Sequence, residues 1–166
     1  MCKEDGKNKY VTVDGAWVRE HLPPRPKTAN KGSFGKTLLI VGSDKYRGAA
    51  HLSLSMALRG GAGYVSYLGE PSLAGELRAI YPEAIYYSTS DTEELLAISD
   101  TQSSVLVGSG SGVSRELYSL ICRLIARDGG PVIIDADGLN SLARFAPSVK
   151  ELFSTARRKV ILTPHP

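Results

Sequence analysis

Four apolar runs, each typical of a strand buried in a parallel sheet, end in residues of the types that bind ligands or transfer protons. The segments that follow these runs are residues 42–49, 108–112, 135–140 and 163–166. Ligands of open parallel sheets bind in the crevice beyond the carboxyl ends of the strands. The sequence therefore predicts one crevice to which all four segments contribute.

The second of these segments is a loop with glycines at positions 108, 110 and 112, between a predicted strand and a predicted helix. Glycines there let backbone N–H groups approach a phosphate at a helix N-terminus. A dinucleotide fingerprint would need its third glycine at position 113, which is Val113. We therefore predict an anion-binding loop that includes Gly110 and Gly112, and a tight turn without a ligand is the alternative.

Carboxylates and a histidine follow the last two apolar runs. Asp135 and Asp137 have the chemistry of an acid–base pair or of magnesium ligands, but alternate residues of a strand point to opposite sides. Asp137 is equally suited to cap the next helix and to line a pocket, and Asn140 to bind a ligand or to close a turn. His165 lies between two prolines at the end of a strand, where we expect it to contact a ligand.

A second segment resembles a phosphate-binding motif but lacks the residues and the neighbouring elements that the motif requires. Residues 32–37 end like a Walker A loop, but that motif needs a glycine five residues before Gly35, where this chain has Asn30. The motif must also follow a strand, and this segment precedes one. Gly32 and Gly35 are therefore expected only to turn the chain into the sheet.

Strand and helix patterns alternate along the chain, and residues 37–68 form a strand, an amphipathic helix and a strand. The alternation predicts a doubly wound, mostly parallel α/β sheet flanked by helices, in a single domain of residues 1–166. Residues 1–9 are predicted to be a disordered tail. Asp14 is predicted to cap a short helix whose Trp17 packs into the core.

The composition fits a globular protein of 166 residues, with 42% hydrophobic and 22% charged residues. The net charge is only +3, and the basic cluster at 157–159 is predicted to be a solvated loop rather than a nucleic-acid patch. The sequence shows neither a secretory signal nor an apolar run near the ~20 residues of a membrane span. Two cysteines do not form a disulfide framework, so a cytoplasmic location is expected, without nucleic-acid or membrane partners.

The motifs, in their order along the chain, resemble the ADP- or ATP-dependent NAD(P)H-hydrate dehydratases of the ribokinase-like fold. The resemblance begins near Tyr10, runs to the end of the chain, and rests on these segments: Lys31-Gly32 with Gly35, Gly42-Ser43, Gly48-Ala49-Ala50, Ala57-Leu58-Arg59, Gly61-Ala62-Gly63, Pro82-Glu83, residues 108–112, Asp135-Ala136-Asp137, Leu139-Asn140 and Thr163-Pro164-His165-Pro166. The resemblance implies repair of hydrated NADH and NADPH: ADP or ATP, with Mg²⁺, phosphorylates the hydroxyl of the hydrate, and phosphate is then eliminated. It also implies a homo-oligomer.

The resemblance further implies which residues form the substrate-binding site: Ala49, Gly110, Gly112, His165, Asp137 and Asn140. This chain departs from the family in its glycine loop, where Ser109 and Ser111 replace the usual proline and leucine. The replacement predicts a looser loop.

The family continues beyond Pro166 with the segment that carries its catalytic aspartate and anion hole. We therefore expect no catalytic residue in this chain, a ribokinase-like domain truncated at its C-terminus, and no activity from the chain alone. An unpaired strand at the edge of the sheet is expected as well. Two other functions remain open: a related kinase acting on a small alcohol such as a vitamin precursor, and a non-catalytic nucleotide-binding module.

Overall fold

The computed structural model describes residues 3–5, 8–22 and 24–165. Within them the strands are β1 (Lys3–Asp5), β2 (Asn8–Tyr10), β3 (Lys36–Ile40), β4 (Tyr64–Leu68), β5 (Ile85–Tyr87), β6 (Ser104–Val107), β7 (Val132–Ile134) and β8 (Val160–Leu162). The α-helices are α1 (Gly15–His21), α2 (Arg47–Arg59), α3 (Pro71–Ile80), α4 (Thr92–Asp100), α5 (Arg115–Ile125), α6 (Asp137–Phe145) and α7 (Val149–Ser154). A 3-10 turn at Lys31–Phe34 leads into β3.

In the described part of the chain, six strands form one parallel sheet in the order β5-β4-β3-β6-β7-β8. This sheet begins with β3; the chain adds β4 and β5 on one side of it and then returns to add β6, β7 and β8 on the other. The segments after β3 and β6 therefore leave the sheet in opposite directions, which opens a crevice between them. The predicted doubly wound parallel sheet is confirmed.

The core consists of two apolar layers, one on each face of the sheet. Leu38 and Val105 pack with α4, α5 and α6, whereas Leu39 and Val65 pack with α2 and α3. β3 is therefore buried on both faces, which explains why its apolar residues form a run instead of alternating.

Helix α1 begins as predicted but does not pack as predicted. The Asp14 carboxylate accepts hydrogen bonds from the N–H groups of Ala16 (3.0 Å) and Trp17 (2.8 Å). The helix has no buried residue, and half-buried Trp17 stacks on His21 with 3.9 Å between the ring centroids. The prediction that Trp17 packs into the core is therefore wrong. The apolar face of a short helix shows which side would pack, but not whether the sheet reaches beneath it.

The basic cluster after α7 is not a uniformly solvated loop. The Arg158 side chain is fully buried and donates hydrogen bonds to the Asp100 carboxylate (2.5 Å), the Ser99 hydroxyl (3.3 Å) and the Asp128 carbonyl (3.1 Å). Burial lowers the pKa of the Arg158 guanidinium, and the nearby Asp100 opposes that shift. Its neighbour Arg157 is exposed and pairs with the Asp128 carboxylate. Only the packing of α4 and α5 against this segment distinguishes the two arginines.

Both ends of the described chain bear on the sequence predictions. Of the predicted tail, residues 1–9, only β1 and β2 are described, and they pair antiparallel; the remainder lies outside the described residues, as does Pro166. At the other end, β8 is an edge strand of the described sheet, and its Ile161 and Leu162 are 40% and 42% exposed. None of the described helices has the length and apolar character needed to cross a membrane.

Candidate functional site

The four predicted strand ends meet at one edge of the sheet. β3, β6, β7 and β8 are consecutive neighbours, so the segments that follow them lie side by side. Two hydrogen bonds join the first two segments: the Gly42 N–H donates to the Ser109 carbonyl (2.8 Å) and the Ser43 hydroxyl to the Gly110 carbonyl (2.8 Å). The predicted convergence is confirmed.

The glycine loop needs its glycines for two reasons. Gly108, Gly110 and Gly112 have φ angles of 108°, 67° and 80°, a region that side chains disfavour. A Cβ on Gly108 would also lie 2.4 Å from the Asp135 carbonyl oxygen, and a Cβ on Gly110 would lie 2.7 Å from the Ala49 Cβ. The loop therefore lies against both neighbouring segments at distances that only glycine allows.

The serines of this loop anchor it. The Ser109 hydroxyl donates to the Asp135 carboxylate (2.7 Å), and the Ser111 hydroxyl to the Ile40 carbonyl (3.4 Å). The other oxygen of Asp135 accepts from the Thr163 hydroxyl (2.7 Å). Asp135 thus supplies an acceptor that the comparison of loop residues alone did not consider, and the looser loop stays a prediction.

The ionisation of Asp135 follows from these contacts. Burial raises the pKa of its carboxyl, but the hydrogen bonds from Thr163 and Ser109, with a smaller attraction from His165, hold the pKa below its usual value. Asp135 is thus an ionised acceptor that joins the ends of β6, β7 and β8. A proton acceptor for catalysis would need the opposite shift.

Asp137 has a different role from Asp135. The residue that caps α6 is Ala136, and the Asp137 carboxylate accepts the N–H of Gly112 (2.8 Å). The helix-capping alternative for Asp137 is therefore wrong. Ala136 has a φ of 42°, a backbone conformation that costs a non-glycine residue about 1–3 kcal/mol. The strained turn sets the start of α6 and so the position of Asp137 against the glycine loop.

A cavity of about 630 Å³ opens between α2, the glycine loop and the start of α6. Its lining consists of residues 44–49, Gly110, Ala136 and Asp137. Three of the predicted site residues therefore meet at one cavity: Ala49, Gly110 and Asp137. A fourth, Gly112, donates its N–H to the Asp137 carboxylate. The first turn of α2 has no side-chain cap and also lines the cavity. The positive end of the helix dipole favours an anionic group there.

Besides Gly112, two predicted site residues do not line this cavity. His165 is exposed beside Asp135 at the end of β8, and Asn140 is exposed on α6. Asn140 lies three residues after Asp137, a rise of about 4.5 Å along the helix. The rule that ligands bind at strand ends identifies the edge of the sheet, but it does not show which residues of each segment reach the cavity.

Lys45 and Tyr46 also line the cavity, and sequence reasoning did not single them out. The signal was their position: both lie in segment 42–49, three or four residues before Ala49. For the described residues, no group of three His, Cys, Asp or Glu side chains could hold a metal ion. Both oxygens of Asp135 and one oxygen of Asp137 accept protein hydrogen bonds, so these two carboxylates offer only part of a ligand set for the implied Mg²⁺.

A parallel sheet with a glycine loop and an uncapped helix start at its point of reversal is the architecture of α/β proteins that bind phosphorylated ligands. Solved structures to which this chain is similar share its fold. A ribokinase-like superfamily protein of Enterococcus faecalis has a TM-score of 0.80 and 25% identity, and 96% of this chain covers 56% of it. The chain belongs to the NAD(P)H-hydrate dehydratase family, whose sequence model matches residues 37–166. The resemblance and the ribokinase-like fold are confirmed.

Named relatives show how much of the family's length is present. The ADP-dependent (S)-NAD(P)H-hydrate dehydratase of Streptococcus thermophilus is 30% identical over 157 residues, which cover 93% of this chain and 55% of the relative. The bifunctional NAD(P)H-hydrate repair enzyme Nnr of Thermofilum pendens is 33% identical over 98% of this chain and 31% of its own length. An ADP/ATP-dependent NAD(P)H-hydrate dehydratase from Bacillus subtilis, co-crystallised with ATP/Mg²⁺, has a TM-score of 0.74 and 29% identity, covering 91% of this chain and 51% of that one. The chain thus spans about a third to a half of the relatives it matches.

Proposed function

We propose that this chain supplies the substrate-binding side of an ADP- or ATP-dependent NAD(P)H-hydrate dehydratase, which returns hydrated NADH and NADPH to NADH and NADPH. The observation that carries the proposal is the meeting of Ala49, Gly110 and Asp137 at one cavity beside the uncapped start of α2. Family membership supports the reaction class. We further propose that the protein acts in the cytoplasm as a homo-oligomer.

The proposed reaction converts a poor leaving group into a good one. The phosphoryl donor transfers its terminal phosphoryl group to the ring hydroxyl of the hydrate; the ring C–O bond then breaks, phosphate leaves with that oxygen, and loss of a ring proton restores the double bond. The residues of this chain bind and orient the substrate. The N–H groups of α2 attract its phosphates, and Asp137 holds Gly112 in place through its amide.

The donor nucleotide is proposed to bind mainly outside this chain. The S. thermophilus relative is named ADP-dependent, and the B. subtilis relative was co-crystallised with ATP/Mg²⁺. Because this chain spans about half of each, we place the donor site, the Mg²⁺ and the catalytic aspartate in the segment that follows Pro166 in the family. His165 and Asn140 stay predicted substrate contacts, which the completed site would bring to the ligand.

A thermal-shift titration of the 17.8 kDa chain tests the proposal, with hydrated NADPH and ADP–Mg²⁺ added separately. A ligand present at 100 times its Kd stabilises the folded state by about 2.7 kcal/mol, which is a shift of roughly 5–11 °C for a domain of this size. We expect that shift with the hydrate, little with ADP–Mg²⁺, and a reduced hydrate shift in Asp137→Ala. The matched control is Asp128→Ala, an exposed carboxylate away from the cavity. If the folded chain shows no thermal shift with hydrated NADPH, the proposal is refuted.

A further inference from the structure

Tyr46 is the one aromatic residue among the described residues that line the cavity. Its backbone is held on both sides: its N–H donates to the Ser43 carbonyl (3.0 Å), and its carbonyl accepts the Ala49 N–H (3.2 Å). Its side chain is nevertheless left open, and Tyr46 is 45% exposed. A single exposed aromatic residue is unremarkable on most surfaces. This one is fixed in position at a cavity whose opposite wall is a glycine loop.

The surroundings of Tyr46 leave room for a ring and provide charge for a phosphate. A Cβ on Gly110 would lie 2.9 Å from the Tyr46 Cβ, so any side chain in place of this glycine would crowd the tyrosine. The Lys45 ammonium lies 5.1 Å from the Tyr46 ring centroid. The ammonium lies over one face of the ring, so a ligand ring would stack on the opposite face, and its charge is close to the uncapped start of α2.

Two carboxylates line the same cavity. Asp44 accepts hydrogen bonds from the Arg47 guanidinium (2.6 Å) and the Ser72 hydroxyl (2.8 Å). Asp137 accepts the N–H of Gly112. The charge of Asp44 is therefore paired, whereas Asp137 keeps its negative charge beside a neutral N–H. Lys45 has no ion pair among the described residues, and its cation is the group of this lining that would meet an anionic ligand.

We propose that Tyr46 is the residue on which a planar ring of the substrate stacks, and that Lys45 contacts the phosphate joined to that ring through ribose. The inference rests on the function proposed above. A dinucleotide carries two rings with this chemistry, the conjugated part of the hydrated nicotinamide and the adenine. Stacking on an aromatic side chain requires only a π-face and is therefore open to both.

Tyr64 and Lys31 provide a matched control, because they form the same kind of pair at the amino ends of the strands, whereas the cavity lies at the carboxyl ends. The Lys31 ammonium lies 4.8 Å from the centroid of the Tyr64 ring, at the start of β4. Substitution there removes an equivalent lysine–tyrosine contact far from the cavity. A change that is general to such pairs would appear in both sets of variants.

Binding is measured by titration calorimetry on the folded chain and its variants, with hydrated NADPH, hydrated reduced nicotinamide mononucleotide and AMP as separate probes. Tyr46→Ala should weaken binding of hydrated NADPH by about 5- to 150-fold, the effect of losing one base–aromatic stack. Tyr46→Phe should stay within about twofold of the original chain, because it keeps the π-face. Lys45→Met should weaken binding and reduce its salt dependence. Tyr64→Ala and Lys31→Met should bind as the original chain does.

The two mononucleotide probes identify the ring. The probe whose binding falls in Tyr46→Ala carries the stacked ring, and Tyr46→Leu, which keeps an apolar side chain but has no π-face, should repeat that loss. If the original chain binds hydrated NADPH and Tyr46→Ala binds it equally well, the stacking role is refuted and the proposed function stands. If the original chain does not bind hydrated NADPH, the proposed function fails, and the role of Tyr46 fails with it.

Discussion

Replacement of Gly108 by alanine should cost this fold more than any other alanine substitution in the glycine loop. The φ of 108° at this position costs an L-residue about 1–3 kcal/mol. The new Cβ would also lie 2.4 Å from the Asp135 carbonyl oxygen and 2.5 Å from the Gly138 nitrogen. Both are backbone atoms, one just before α6 and one in its first turn, so relief requires moving the start of that helix, and overpacking of this kind costs about 1–3 kcal/mol more. The expected total is about 2–6 kcal/mol, against about 5–15 kcal/mol of stability for a typical domain.

Two other glycines separate the cost of the backbone conformation from the cost of the steric clash. Gly112 has a φ of 80°, but nothing lies within 4 Å of its Cβ position, so Gly112→Ala should lose only the backbone term of about 1–2 kcal/mol. Gly48 lies in the first turn of α2 with open space around it, and Gly48→Ala should be neutral or gain up to about 1 kcal/mol from helix propensity.

Urea denaturation of the three variants, followed by circular dichroism, gives their order of stability. The expected order is Gly48→Ala above or equal to the original chain, then Gly112→Ala, then Gly108→Ala. Thermal midpoints should follow the same order, at roughly 2–4 °C for each kcal/mol in a domain of this size. A Gly108→Ala chain as stable as Gly112→Ala would refute the steric reasoning and the tight approach of the loop to the start of α6.

Two further predictions concern buried charge and pH. Arg158→Ala should destabilise the fold by about 2–4 kcal/mol, because it removes the buried partner of a charged network, whereas exposed Arg157→Ala should change stability by less than about 1 kcal/mol; equal effects in denaturant titrations would contradict this. Ser109→Ala should cost about 1 kcal/mol at pH 7, because it removes a hydrogen bond to the Asp135 carboxylate. Such hydrogen bonds hold the folded pKa of Asp135 below its unfolded value. Their stabilisation is therefore present above about pH 4 and is lost as the pH falls through the folded pKa. Thermal melts from pH 3 to 7 should show this cost shrinking with acidity, while exposed Ser119→Ala, outside this contact, should show no such trend.

The elements of the sheet were predictable because their signals are local. The run that forms β3 is apolar without alternation, and the face of α5 repeats with helical spacing. The edge rule for parallel sheets then located the crevice, since it needs only the order of strands and helices along the chain. Residues 42–49 and 108–112 could be assigned to the site on this basis, before any contact between them was known.

Contacts between distant segments were not predictable in the same way. Trp17 lies on an apolar helix face that remains without a buried residue, and Arg158 lies in a polar cluster yet is fully buried. The partners of Ser109 and Asp137 are 26 and 25 residues away along the chain. Sequence periodicity predicts the face of an element on which a residue lies, but it does not predict which residue of a distant segment that side chain will contact.

By itself, the sequence determined the parallel α/β fold, the edge of the sheet that carries the site, and the family, because each depends on patterns repeated along the chain in a definite order. Only the tertiary structure decided that Ala49, Gly110 and Asp137 share a cavity with Tyr46, while His165 and Asn140 lie outside it. The physical reason is that a strand end places a segment to within several ångströms. Hydrogen bonds and close packing, such as the approach of Gly110 to Ala49, then determine which side chains reach the same space.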